Sequence, residues 1–258
     1  MRPWIFAAVL WAGSTPLGFA WAQESADAIA KKALDNNVFS TANARAELAL
    51  DVSKDGKVVR QRRISTKIKR SAEEVRSYIE FSAPADVAGT KFLSIEAKGS
   101  AAEQYLYLPA FKKVKRVVGS QRSDSFMGTD FSYDDLDGRD PELATWSSKN
   151  DEVLGGQDCW VVEGATKKPD EDPYERVVIW VHKKHHLPMR MDFYAKGQAE
   201  PVKRLTVRKL EKKDERWVAT DSVMTTPKKG TETRISLLAV DFNREIPEAE
   251  LTKAVLER

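Results

Sequence analysis

The chain has almost no cysteine: Cys159, in the run Asp158-Cys159-Trp160-Val161, is the only one in 258 residues. One thiol closes no internal disulfide, so stability has to come from burial. Cys159 itself reads as a small packed hydrophobe rather than a reactive thiol. Histidine is nearly as scarce. His182 ends a predicted strand, and His185 and His186 sit in the turn beside Lys183 and Lys184. Neighbouring ammonium groups oppose a dication, so a hairpin turn explains the three histidines better than a metal site. Charge of one sign is missing too: 42 basic residues stand against 39 acidic ones, a formal net charge of +3. That balance and the lack of a basic tail argue against a nucleic-acid partner. Beyond the first residues, no window approaches the roughly 18 consecutive apolar residues of a membrane-spanning helix. Also missing are G-x-S-x-G, H-E-x-x-H and any glycine-rich phosphate loop, so neither enzyme chemistry nor a cofactor is indicated.

What is present begins with a leader. Arg2 supplies a positive start, Trp4 to Leu10 an apolar core, and Ala20-Trp21-Ala22 a small-residue cleavage site. These are the marks of a secretory signal peptide over residues 1–22, leaving residues 23–258 as one exported domain. No cysteine follows the cleavage site, so no lipid anchor is expected, and the destination is the periplasm.

From Ala44 to Phe242 the chain alternates with period two. Leu48, Leu50 and Val52 interleave with Glu47, Ala49 and Asp51. Asp55-Gly56 then turns the chain, both residues tolerating positive φ. Further strands are expected at Val75–Phe81, Phe92–Ala97, Glu103–Leu108, Lys112–Val118, Gln157–Thr166 and Tyr174–His182. Leu187–Ala195, Val202–Leu210, Arg216–Thr225 and Thr231–Asp241 form a meander with short polar connections. Helices are expected at Ser25–Asn36 and Pro247–Leu256. The segment Asp124–Asn150 fits neither pattern and is long for a loop, as functional loops often are. A large curved antiparallel sheet has a concave face that something must cover: a helix, this lid segment or a ligand.

The most informative stretch is Tyr105–Gly138. It runs from an apolar strand through Leu108-Pro109 into Lys112, Lys113, Lys115 and Arg116, and then to Phe126-Met127-Gly128-Thr129-Asp130-Phe131-Ser132-Tyr133. Aromatics, a flexible Met and a Gly suit adaptable apolar contact, not bond cleavage. The following acids include Asp135-x-Asp137-Gly138, the middle of an EF-hand loop. The match fails at both ends, where Tyr133 and Ala144 stand at the first and twelfth positions.

This stretch resembles exported proteins of the LolA-like outer-membrane lipoprotein-sorting family, and more closely the relatives associated with RND-type inner-membrane exporters. The resemblance runs from the N-terminal helix to Phe242-Asn243-Arg244-Glu245-Ile246-Pro247. It implies a mainly β fold: a half-open antiparallel β-barrel of about eleven strands with an N-terminal helix, a C-terminal helix and a lid. It also implies a carrier with no catalytic residues. Such a carrier takes a lipid or acylated protein in its hollow, touches membranes transiently and is expected as a monomer. The alternative is a lipid-sensing or structural accessory subunit of an envelope complex.

On this basis Leu108, Phe126, Met127, Phe131, Tyr133, Trp160 and Trp180 are the lipid-contact candidates, and Gly128 is the lid hinge. Lys112, Lys113, Lys115 and Arg116 are the candidate docking surface for a partner. For the aromatics the competing reading is that they plug the loop onto the core. For the charges it is that they screen one another on a wet face.

Overall fold

The computed structural model describes residues 24–35 and 43–258. The expected leader and the Asn36-Asn37 helix end lie outside them. Helix α1 (Ala26–Asp35) starts where the Ser25 hydroxyl accepts a hydrogen bond from the Ala28 amide at 3.2 Å, a side-chain N-cap. Its buried stripe is Ile29, Ala30, Ala33 and Leu34, at helical spacing.

Among the described residues fourteen strands follow, against the eleven or so expected. The first arm is β1 (Ala44–Lys54), β2 (Lys57–Arg70), β3 (Glu74–Ala83), β4 (Lys91–Ala97), β5 (Glu103–Leu108) and β6 (Lys113–Val117). The second comprises β7 (Ala144–Ser148), β8 (Glu152–Leu154), β9 (Gln157–Thr166), β10 (Arg176–His182), β11 (Pro188–Tyr194), β12 (Lys203–Lys213), β13 (Arg216–Thr226) and β14 (Thr231–Asp241). Their order is β6-β5-β4-β3-β2-β1-β14-β13-β12-β11-β10-β9-β7, with β8 beside β9. The two arms are antiparallel meanders welded where β1 pairs with β14. The sheet stays open because β6 and β7, at its ends, do not pair with each other.

Sequence chemistry accounts for the turns. Asp55 and Gly56 take φ of +50° and +77° between paired Lys54 and Lys57, the two-residue hairpin their types favour. Register shifts at Glu47/Leu48, Val52/Ser53, Trp180/Val181 and around Lys209 mark bulges, which bend strands and increase twist.

One face of the sheet carries the principal core, including Leu48, Leu50, Ile64, Phe81, Phe92 and Ile179. Two covers lie on it. Helix α1 packs against β7, β9 and β10. Residues 118–143, the connection from β6 to β7, must pass from one end of the sheet to the other and bury Phe126, Phe131, Tyr133 and Leu136 on the way. The expected C-terminal helix is reduced to a 3-10 turn at Glu248–Glu250 and a single α turn, α2 (Lys253–Leu256). The tail nonetheless covers the reverse face of the first arm, where Ile246, Leu251 and Leu256 pack on Tyr78 and Leu93. Glu250 fixes it there, accepting from Arg45 at 2.9 and 3.0 Å and from Lys67 at 2.7 Å. Among the described residues no helix is long and apolar enough to cross a membrane.

Candidate functional site

The crossing segment is held by its own acids. Asp137 accepts from Ser94 Oγ at 2.7 Å and Gln104 Nε2 at 2.9 Å, and it pairs with Arg122. Arg122 reaches back to Asp134 at 2.7 Å. Asp135 accepts from the Ser132 amide, from Tyr174 Oη at 2.7 Å and from Lys203. Asp130 accepts from the hydroxyls of Thr226, Thr231 and Thr233 at 2.5–2.7 Å. The carboxylates of the EF-hand-like run are therefore spent on clamping this segment to β4, β5 and β12. Among the described residues no group of three His, Cys, Asp or Glu side chains is placed to hold a metal.

Glu96 is the exception in this clamp. It accepts the Gly138 amide at 3.0 Å, but burial, and next the charge of Asp137, push its carboxyl from 4.5 up to about 7. A raised acid pKa favours the fold in the protonated form. Its contribution is complete below about pH 4.5 and is lost as pH climbs through about 7. Between about pH 5 and pH 8, wild-type melting temperature is expected to fall relative to that of Glu96→Gln, which stays neutral throughout. Parallel melting curves would refute this assignment.

The aromatic motif is packed. Phe126 is 2% exposed, and its ring centroid lies 5.4–5.6 Å from those of Phe81, Phe92 and Tyr133. Phe131 and Tyr133 are buried in the same core, with Met127 and Leu108 partly buried against it. Met127 (φ +50°) and Gly128 (φ +76°) form a turn closed by the Thr129 amide donating to the Phe126 carbonyl at 3.0 Å. Gly128 thus sits at the tip of a tight turn in a clamped segment. Trp160 packs partly buried near His186, 5.2 Å between ring centroids. Trp180 departs from the inward orientation expected of it. Period two sends Ile179 and Val181 into the principal core and Trp180 to the other face, beside Cys159 and Val178, with Nε1 donating to Glu152 at 2.9 Å. Burial pushes the Cys159 thiol up to about 11, as suits an inert side chain. Lys112, Lys113, Lys115 and Arg116 are exposed on and beside edge strand β6, where lysines discourage strand addition. Arg116 pairs with Glu103 at 3.1 Å.

The apolar space among the described residues lies elsewhere. An apolar groove of about 60 Å³ opens where β1 begins and β14 ends. Its floor is Ala44, Ala46 and Leu48 of β1 with Thr66 and Ile68 of β2. Leu237, Val240 and Phe242 form one wall; Leu187, Leu210 and Trp217 form the other. Among the described residues no charged side chain lines it, and Thr66 contributes the only hydroxyl. The small side chains of Ala44 and Ala46 leave room that larger residues would fill. The bulges around Lys209 bring Leu210 to the lining in place of that lysine. At the rim Trp217, 38% exposed, stacks on His185 at 4.5 Å, and the Arg216 guanidinium lies 4.8 Å over the Phe242 ring. None of the motif residues singled out from sequence lines this groove. The alternating small and apolar residues of β1 were the available signal for it.

The geometry has counterparts. A family model described as an uncharacterized protein matches residues 73–258. An outer membrane lipoprotein-sorting protein domain from Vibrio parahaemolyticus is 29% identical, with a TM-score of 0.81 over 90% of this chain and 98% of that one. A DUF1329 family protein from Desulfovibrio piger is also 29% identical, with a TM-score of 0.82 over 91% of this chain and 100% of that one. A LolA superfamily protein from Nitrosomonas europaea shares the fold at 16% identity, with a TM-score of 0.71 over 90% and 100% of the two chains. No curated protein matches the chain. An open antiparallel sheet with one helix and one crossing segment on its hollow face, shared nearly end to end with these proteins, places the chain in the LolA-like outer-membrane lipoprotein-sorting family.

Proposed function

We propose that the protein is a periplasmic carrier that seats the hydrocarbon of a lipid or lipidated molecule in this groove. It moves that cargo between the inner membrane, beside an RND-type exporter, and the outer membrane. The observation that carries the reading is the uncharged groove where β1 begins and β14 ends. Burying hydrocarbon there yields about 0.8 kcal/mol per methylene. Four or five methylenes then give roughly 3–4 kcal/mol, weak enough to hand over but short of firm capture. A longer chain needs a cover to move.

Of the two covers, α1 is the one to displace. The crossing segment is fastened by Asp130, Asp135 and Asp137, whereas α1 presents two large apolar side chains, Ile29 and Leu34, among alanines. Its polar tethers are Glu24, 3.4 Å from His186, one residue from the groove's Leu187, and Asp35, 3.7 Å from Arg70. Lifting α1 extends the apolar floor toward Val162, Ile179 and Val181. A fluorescent fatty acid titrated into the protein should saturate at one per chain, with the emission of Trp217 at the rim responding.

A second reading is a structural accessory subunit, supported by how completely Phe126, Phe131 and Tyr133 fill the interior. It predicts no saturable uptake of amphiphile, and that result would remove the carrier.

A further inference from the structure

At the far end of β1 from the groove a second hollow, of about 310 Å³, opens between the crossing segment and strands β1, β2, β13 and β14. Its chemistry is the reverse of the groove's. Lys54, Arg60, Lys203 and Lys229 stand on its walls. Lys203 is neutralised by Asp135. Among the described residues Lys54, Arg60 and Lys229 have no carboxylate within ion-pair distance. The carboxylate on the lining, Asp130, is 7% exposed and already takes three threonine hydroxyls. Three unpaired cations against one occupied carboxylate leave the hollow electropositive. These cations come from three places in the chain: the end of β1, the start of β2 and the β13–β14 turn. The Arg60 guanidinium lies against the Met127-Gly128 turn, where a Cβ on Gly128 would stand 3.5 Å from Nη1.

We infer that this basin binds an oxyanion of the phosphate class. A phosphate group directs three oxygens to different sides, so the planar fork of Arg60 can take two while the ammonium groups meet the third. The two coplanar oxygens of a carboxylate would leave one cation unmet. Val52 and Val59 on the lining give an ester substituent an apolar rest. The basin acts independently of the groove: Ala46 and Lys54 are about 27 Å apart along β1, with Leu50, Ile64 and Phe131 packed between. The ligand is therefore not the headgroup of a chain lying in the groove. Two sources offer the same chemistry: a soluble phosphate or phosphate monoester, and the monoester headgroup of phosphatidic acid at a membrane surface. The hairpin beside the basin exposes Val58 and Val59 at 56% and 54%.

The test uses the full chain in about 100 mM salt, where long-range surface attraction is screened beyond ~10 Å. Inorganic phosphate is titrated by amide chemical shifts, and flotation is measured with phosphatidic acid and with phosphatidylcholine vesicles. Arg60→Gln/Lys229→Gln is compared with Lys112→Gln/Lys113→Gln, which removes the same charge at β6. All four residues are exposed, so unchanged melting curves are expected to verify folding. At least one arm, phosphate shifts or phosphatidic acid flotation, should weaken tenfold or more in the basin variant and stay unchanged in the β6 variant. A loss confined to phosphate identifies a soluble ligand, and a loss confined to vesicles a headgroup. Equal loss in both variants, or binding of neither probe by the wild type, would overturn the assignment.

Discussion

Leu237→Asp is expected to cut affinity for a long-chain fatty acid by about 100-fold while leaving the sheet folded. Leu237 lines the groove beside Val240 and packs on the edge of the principal core without being fully enclosed by it. In the empty protein its carboxylate replacement can reach water, so the cost to folding is small. With hydrocarbon in the groove that carboxylate must either lose its water or hold the chain away from the floor. Excluding about four methylenes forfeits roughly 3 kcal/mol, slightly more than two decades of affinity. Fluorescence titration of the variant, with circular dichroism as the control, measures both halves. Undiminished binding would place the cargo outside the groove.

Phe126→Ala should do the opposite, lowering stability by about 3–5 kcal/mol. The ring touches Phe81, Phe92 and Tyr133 at centroid distances that favour tilted and edge-on packing. It is also the apolar anchor of the crossing segment ahead of the Asp130 and Asp137 clamps. For a domain of this size the melting temperature should fall by roughly 10 °C. Cargo affinity of the molecules that remain folded should be little changed, because Phe126 does not line the groove. A stable variant with lost cargo binding would return the aromatic motif to the site itself. Phe126→Asp is the harsher version, since it adds an unpaired buried carboxylate to the cavity.

The alternation of Leu48, Leu50 and Val52 and the Asp55-Gly56 turn made β1, β2 and their neighbours legible, because period two and positive φ are local properties. Tyr78 was not legible as buried. It alternates out of phase with Ile79 and Phe81, as a residue on a wet face does, yet Ile246 and Leu251 arrive from the far end of the chain to cover it. Strands β7 and β8 were missed because Ala144–Ser148 and Glu152–Leu154 are short edge pieces with no buried alternation. The aromatic motif was visible, but its role was not: a Phe on a crossing segment has the same pattern whether it plugs a hollow or lines its mouth. The groove was harder still. Leu210 lines it beside the register shifts around Lys209 on β12. Bulges leave little trace in a sequence, so the contact set had to come from three dimensions.

The most direct test of the carrier is native mass spectrometry of the protein purified from its own host, with organic extraction of whatever it releases. The account predicts one amphiphile per chain, displaced by added fatty acid and reduced to trace by Leu237→Asp. A clean unliganded mass, from protein that also refuses added amphiphile, would contradict it and leave the LolA-like sheet as the scaffold of an accessory subunit.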